Sequence, residues 1–129
     1  LLRPLKNISF LGQINRDKLL EILLKSDVFL FPSHSEGFPN SVLEAMAIGL
    51  PVVASRVGAI PEMIEHDSGG YVVNVGEVDK MKEHLKNLSI NPKLRKSMGL
   101  FNKKKCKENY SYKIVSRKLV DYYKILLKI

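Results

Sequence analysis

Three short runs constrain the fold most: Val28-Phe29-Leu30-Phe31, Val52-Val53-Ala54 and Tyr71-Val72-Val73. The first is continuously apolar rather than alternating, as expected of a strand covered on both faces, the second reads as the next buried strand, and the third as a further strand. Pro32 stops the first, Pro51 leads the second, and Gly69-Gly70 turns the chain into the third. Helical periodicity fills the gaps. Residues 15–25 carry Leu19, Leu20, Ile22, Leu23 and Leu24 as a wide apolar stripe, and Ser26-Asp27 ends it. Residues 42–47 predict a helix closed by Gly49, and residues 60–64 a short one with Pro61 early in its first turn. Residues 7–12 read as a further strand ending at Gly12. Three more helices are predicted over 77–88, over 93–110 and from 112 to the end. The last places Val115, Leu119, Tyr122, Leu126 and Ile129 along one face, opposite Arg117, Asp121, Lys124 and Lys128. Strands alternating with helices require right-handed crossovers, hence a mainly parallel sheet with helices on both faces. The expected fold is α/β, a Rossmann-like three-layer domain over residues 1–129, with 91–129 as its basic C-terminal helices.

Composition narrows the class. At 129 residues, 45% hydrophobic and 26% charged, the chain can build one packed core and is not disordered. No apolar run reaches the roughly 20 residues needed to cross a bilayer. Leu1-Leu2-Arg3-Pro4 lacks the charged start and apolar stretch of a signal peptide. The lone Cys106 forms no internal disulfide and fits a reducing, cytoplasmic compartment. A start without Met suggests a piece of a longer chain. Charge is uneven: residues 1–90 hold 9 basic and 11 acidic side chains, net −2, whereas 91–129 hold 12 against 2, net +10. That excess is either a solvated helix face or an attraction to an anionic surface, such as the inner face of the plasma membrane. Nucleic acid is the weaker partner, because the lysines of 103–107 are not interleaved with aromatics and no nucleic-acid-binding signature occurs.

In parallel α/β folds, ligands bind beyond the C-terminal strand ends, near helix N-termini. The segment after Phe31 reads Pro-Ser-His-Ser-Glu-Gly-Phe-Pro-Asn-Ser-Val-Leu-Glu, with Glu36 and Glu44 on either side of a helix start. Backbone N–H groups and the positive dipole end there attract an anion such as a diphosphate. Gly37 lets the main chain approach a ligand closely. Carboxylates flanking a phosphate site suit a ligand with hydroxyls on both sides of it, the shape of a nucleotide sugar. The competing structural reading is a capping box, in which Glu44 merely returns to the Ser41 backbone N–H.

With seven residues between the two glutamates, E-G-F-P-N-S-V-L-E-A-M-A after a strand ending in Pro32-Ser33 resembles the E-x7-E motif of family 4 retaining glycosyltransferases, which have the two-domain GT-B fold. Gly49-Leu50-Pro51-Val52-Val53-Ala54-Ser55 resembles the family's G-x-P-V-V-A-S strand. Val57-Gly58-Ala59-Ile60-Pro61-Glu62, Gly70-Tyr71-Val72-Val73 and, upstream, Phe10-Leu11-Gly12 resemble other family segments in order. The resemblance runs over roughly residues 7–75. It implies most of a C-terminal donor-binding domain. Glu36 would then be the catalytic-site carboxylate on the transferred sugar, with Gly37, Phe38 and Pro39 beside it, although Pro39 has no N–H to give. Asn40, Ser41 and Val42 would face the diphosphate, Glu44 the ribose, and Gln13 and Ile14 the base. It also implies a UDP- or GDP-linked donor and no metal, and the sequence has no D-x-D. The family's Arg and Lys that neutralise the leaving diphosphate come from an earlier strand–helix unit of the same domain. This chain begins after that unit, and neither Arg3 nor Lys6 is identifiable as a replacement. A glycan or lipid-linked acceptor would bind a missing N-terminal domain, so this chain alone should not turn over. By family analogy the role would be bacterial surface polysaccharide synthesis.

Other candidates read as ordinary. His34 is a loop histidine two residues from Glu36, and His66 and His84 lack metal-ligand spacing to each other or to Cys106. Arg56 follows a strand end and suits either the ligand crevice or the surface. Glu62 suits a helix-start dipole, and Tyr122 and Tyr123 read as core plus rim. No G-x-S-x-G elbow and no G-x-G-x-x-G occur. Two alternatives stay beside the enzymatic reading: a non-catalytic α/β module that binds an anionic partner through its basic third, and a GT-B-fold sugar-nucleotide epimerase.

Overall fold

The computed structural model describes residues 6–128. Among these, one parallel sheet forms in the order β1 (Phe29–Phe31), β2 (Val52–Ser55), β3 (Gly70–Val73). Leu30 sits opposite Val53, and Val53 opposite Tyr71. The helices are α1 (Arg16–Leu24), α2 (Asn40–Ile48), α3 (Ile60–Met63), α4 (Val78–Ile90), α5 (Pro92–Asn109) and α6 (Tyr112–Leu127).

The two-residue period of the strands divides the core. Val52, Ala54 and Val72 meet Leu23 of α1, Val42, Ala45 and Met46 of α2, and Ile60 and Met63 of α3. On the opposite face Val53, Tyr71 and Val73 meet Met81 and Leu88 of α4 and Met98 of α5. The expected three-layer α/β architecture with a parallel sheet is therefore present, and β2, its central strand, is buried throughout.

Helix α5 locks this arrangement from the strands' N-terminal side. Gly49 ends α2 in the left-handed region at φ +94°, donating its N–H to Ala45 and Met46 carbonyls. A Cβ on Gly99 of α5 would run into the Gly49 carbonyl, so the two backbones lie in direct contact. Three residues on, the fully buried Asn102 donates from Nδ2 to the carbonyls of Leu50 (2.8 Å) and Gly69 (2.6 Å). One side chain thereby holds the turns that lead into β2 and β3.

Four expectations are corrected. Residues 7–12 form no strand: among the described residues no neighbouring strand takes up their backbone hydrogen bonds, and Ile8, Phe10 and Leu11 are exposed. The run at 28–31 is not covered on both faces. β1 is a sheet edge, and Leu30 is exposed. The stripe of α1 is narrower than its sequence suggests, since only Leu23 is buried. Helix α6 forms over nearly the expected span with none of its residues buried, and Tyr122 and Tyr123 are exposed rather than core and rim. The expectations for Leu1-Leu2-Arg3-Pro4 and for Ile129 fall outside the described residues.

Candidate donor-binding site

The loop between β1 and α2 leaves the C-terminal end of the sheet and returns as a helix N-terminus. Pro39 is the N-cap: its ring is buried and its carbonyl accepts from Val42 N–H (3.1 Å) and, at 3.4 Å, Leu43 N–H. Val42 is thus engaged within the turn, while Asn40 and Ser41 occupy the first two helical positions, whose amides have no intrahelical acceptor. No side chain caps this end, and its first turn holds no acidic residue. The positive end of the α2 dipole is left uncompensated by the protein. The capping-box reading fails here: the helix starts at Asn40, so Ser41 lies inside the first turn instead of capping it. Glu44 is half-buried on the second turn.

Glu36 is half-buried before the helix. Ser33 Oγ lies 2.8 Å from Glu36 Oε1 and 3.2 Å from the Ser35 carbonyl, and with one proton it donates to one of them at a time. The β2–α3 loop supports the backbone on one side. Ala59 N–H donates to the Gly37 carbonyl (2.8 Å), and Gly58 sits at φ +51° directly against Glu36 and Gly37. A Cβ at Gly58 would collide with both of their carbonyl oxygens, so this position requires glycine on two grounds. On another side the exposed Phe38 ring meets Tyr110 edge-on, with centroids 5.8 Å apart and ring planes at 63°. A Cβ on Gly37 would meet only open space.

The structure therefore brings Glu36, Gly37, Phe38, Pro39, Asn40, Ser41, Val42 and Glu44 together along one loop and one helical turn. Gln13 and Ile14 lie in the irregular segment before α1, whose N-cap Asn15 accepts from Lys18 N–H (2.9 Å). Among the described residues, no hydrogen bond links those two to the Glu36 loop. His34 is exposed. Arg56 is also exposed, its N–H donating to the Val73 carbonyl (2.7 Å), and it borders a cleft with His66, Asn74, Glu77, Lys80 and His84. There His84 stacks on Tyr71 at 3.9 Å, and burial, with His66 as a second cause, lowers its pKa. Cys106 is half-buried, and burial raises its thiol pKa, as expected of a structural cysteine. Sequence reasoning missed Ser33, Gly58, Ala59 and Tyr110. Only Gly58 carried a local signal, as the glycine of a loop between a strand and a proline-started helix.

Comparison with known proteins bears on the family and the fold. The profile described as "Glycosyl transferases group 1" matches residues 2–105. The chain is 37% identical over 120 residues to N-acetyl-alpha-D-glucosaminyl L-malate synthase of Bacillus anthracis, covering 92% of this chain and 31% of that one. It thus spans about a third of that relative. Its fold matches sucrose-phosphate synthase of Thermosynechococcus elongatus with a TM-score of 0.84 at 22% identity, over 93% of this chain and 30% of that one. It also matches the C-terminal domain of a glycosyl transferase group 1 family protein of Francisella tularensis, with a TM-score of 0.70 at 30% identity over 81% and 53%. With the profile covering most of its length and the fold shared with GT-B glycosyltransferases, this chain belongs to the group 1 glycosyltransferases.

Proposed function

We propose that this chain is the donor-binding part of a retaining glycosyltransferase that moves a hexose-type sugar from a UDP- or GDP-linked donor to a glycan or lipid-linked acceptor. The observation that carries the reading is the uncapped start of α2, flanked by Glu36 before it and Glu44 one turn inside it. In this reading Asn40 and Ser41 amides, and the helix end behind them, take the diphosphate. Glu36, with Ser33 at one oxygen, accepts from hydroxyls of the transferred sugar, and Glu44 accepts from the ribose. Gln13 and Ile14 border the base. Catalysis rests on holding the donor in place and on stabilising charge as it develops on the leaving diphosphate, without a protein nucleophile and without a metal. The acceptor is held by protein outside this chain, and the setting is bacterial surface polysaccharide synthesis in the cytoplasm. Calorimetric titration with UDP, GDP and their hexose conjugates tests the site. Saturable binding that weakens about tenfold or more in Glu44→Ala supports it; binding indifferent to Glu44→Ala removes it.

A second element concerns α5 and α6. No described helix is long and apolar enough to cross a membrane. Lys103, Lys104 and Lys107 nevertheless border one open groove on α5. On α6, Leu119, Tyr122 and Leu126 form an exposed apolar face, with Arg117 and Lys124 on the opposite side. This combination supports a peripheral contact with an anionic membrane surface. Binding to vesicles that does not depend on anionic lipid would exclude it. A non-catalytic module using the same surface predicts instead that charge reversal across 103–107, and not Glu36→Ala, abolishes ligand binding.

A further inference from the structure

We infer that Tyr110 is a positioning residue for the donor sugar, acting through its edge-on contact with Phe38; this rests on the donor-site reading above. The loop from Ser33 to Pro39 has two lateral supports. The first is the Gly58-Ala59 backbone, which fixes the carbonyls of Glu36 and Gly37. It grips main chain only and lies before Phe38. The second begins where the first stops. Gly37 has no side chain and Pro39 is already buried, so Phe38 is the side chain through which the intervening stretch can be held. Its ring is 47% exposed, and Tyr110 is its aromatic partner.

Tyr110 is well placed to be the fixed member of the pair. It closes α5, with its N–H donating to the Cys106 carbonyl at 2.9 Å. Its side chain is half-buried against the core that contains Val42, Ala45 and Met46 of α2, alongside Cys106. Burial is the main cause raising its hydroxyl pKa, and the charge of Glu62 on α3 adds to it. One turn earlier, Lys105 of α5 donates to the Glu62 carbonyl of α3 (2.9 Å). Phe38 thus rests on a residue that closes α5 and packs against the core built on α2. Because Phe38 follows Glu36 and Gly37, its position sets the sugar side of the site. The amides of Asn40 and Ser41 are set by the helix itself.

That division makes the inference testable on the full-length protein. Affinities for UDP and GDP, and for UDP- and GDP-hexoses, are compared by calorimetry in Tyr110→Ala, Tyr110→Leu and Tyr110→Phe, with Glu44→Ala alongside. Losing one aromatic pair should weaken sugar-nucleotide binding about threefold to tenfold in Tyr110→Ala and Tyr110→Leu. Binding of the bare nucleoside diphosphate should stay within about twofold, since its contacts lie on the helix end. Tyr110→Phe keeps the ring edge and should restore wild-type affinity. Tyr110→Leu keeps apolar volume, so it serves if Tyr110→Ala does not fold. Unchanged sugar-nucleotide affinity in Tyr110→Leu overturns the inference, as does equal loss of both ligand types, or a Tyr110→Phe variant as weak as Tyr110→Leu. If Glu44→Ala still weakens the nucleoside diphosphate in those cases, the donor site stands and only the role of Tyr110 falls. If Glu44→Ala has no effect, the donor-site reading falls and takes this inference with it.

Discussion

Helices α2 and α6 are both rich in apolar residues, and the fold treats them oppositely. In α2, Val42, Ala45 and Met46 are completely buried between the sheet, α1 and α5. In α6, which is nearly twice as long, no residue is buried, and Leu126 is 75% exposed. Both follow the spacing of an amphipathic helix. What separates them is connection: α2 lies between two adjacent parallel strands and returns across the sheet, whereas among the described residues α6 follows another helix and is flanked by no strand. Helical spacing therefore identifies a face that can be covered, and topology decides whether this chain covers it.

Substitutions that delete the same kind of side chain from the two helices would sharpen or break that contrast. Met46→Ala should cost about 2–5 kcal/mol, the usual range for emptying a closed core position, seen as a lower midpoint in urea unfolding. Gly58→Ala comes next, at about 1–3 kcal/mol for a non-glycine residue forced to φ +51° against two carbonyls. Unlike Met46→Ala, it should also weaken sugar-nucleotide binding while the protein is still folded. Asn102→Ala leaves the Leu50 and Gly69 carbonyls without their buried donor and should cost about 1–3 kcal/mol. Its effect on ligand binding should be small, because it acts at the opposite end of the strands.

A smaller effect is expected from pH. Burial depresses the pKa of His84 in the fold, with His66 adding to it. The unfolded chain then binds more protons between the lowered value and the ordinary histidine value near 6.5. The contribution of His84 is complete above that ordinary value and declines as pH falls through it toward the folded pKa. Thermal unfolding across this window should show a shallower slope in His84→Gln than in the wild type. Smallest of all is Leu126→Ala, expected within about 0.5 kcal/mol of wild type by urea unfolding. A loss there as large as that of Met46→Ala would end the contrast and show that α6 is covered in solution.

Much of this architecture could be read from order and spacing. The apolar runs at 52–54 and 71–73 are buried strands, and the helices over 77–88 and 93–110 appear within a few residues of their expected ends. Glu36 and Glu44 lie on either side of the start of α2. The errors share a cause. Residues 7–12 have the composition of a strand, yet a strand exists only with a neighbour, and neighbours are not encoded locally. Val28-Phe29-Leu30-Phe31 is as apolar as the central strand, but among the described residues no helix covers Leu30, whereas β3, equally at the end of the sheet, is buried throughout. The supports of the site were illegible for the same reason. Ser33 to Glu36 is a local bond between common polar types, whereas Gly58 to Gly37 and Tyr110 to Phe38 join segments whose proximity is created by the fold.

The buried bolt formed by Asn102 and the Gly49–Gly99 crossing bears on how the molecule comes apart. Amide protons of β2 and β3 can exchange with solvent only when the turns before them loosen, and α5 holds both turns. The sheet and α5 therefore form one cooperative opening unit despite their separation along the chain, with a shared protection factor, while α6 exchanges independently and far sooner. A chain cut within α5 would lose the fastening of a sheet it never enters.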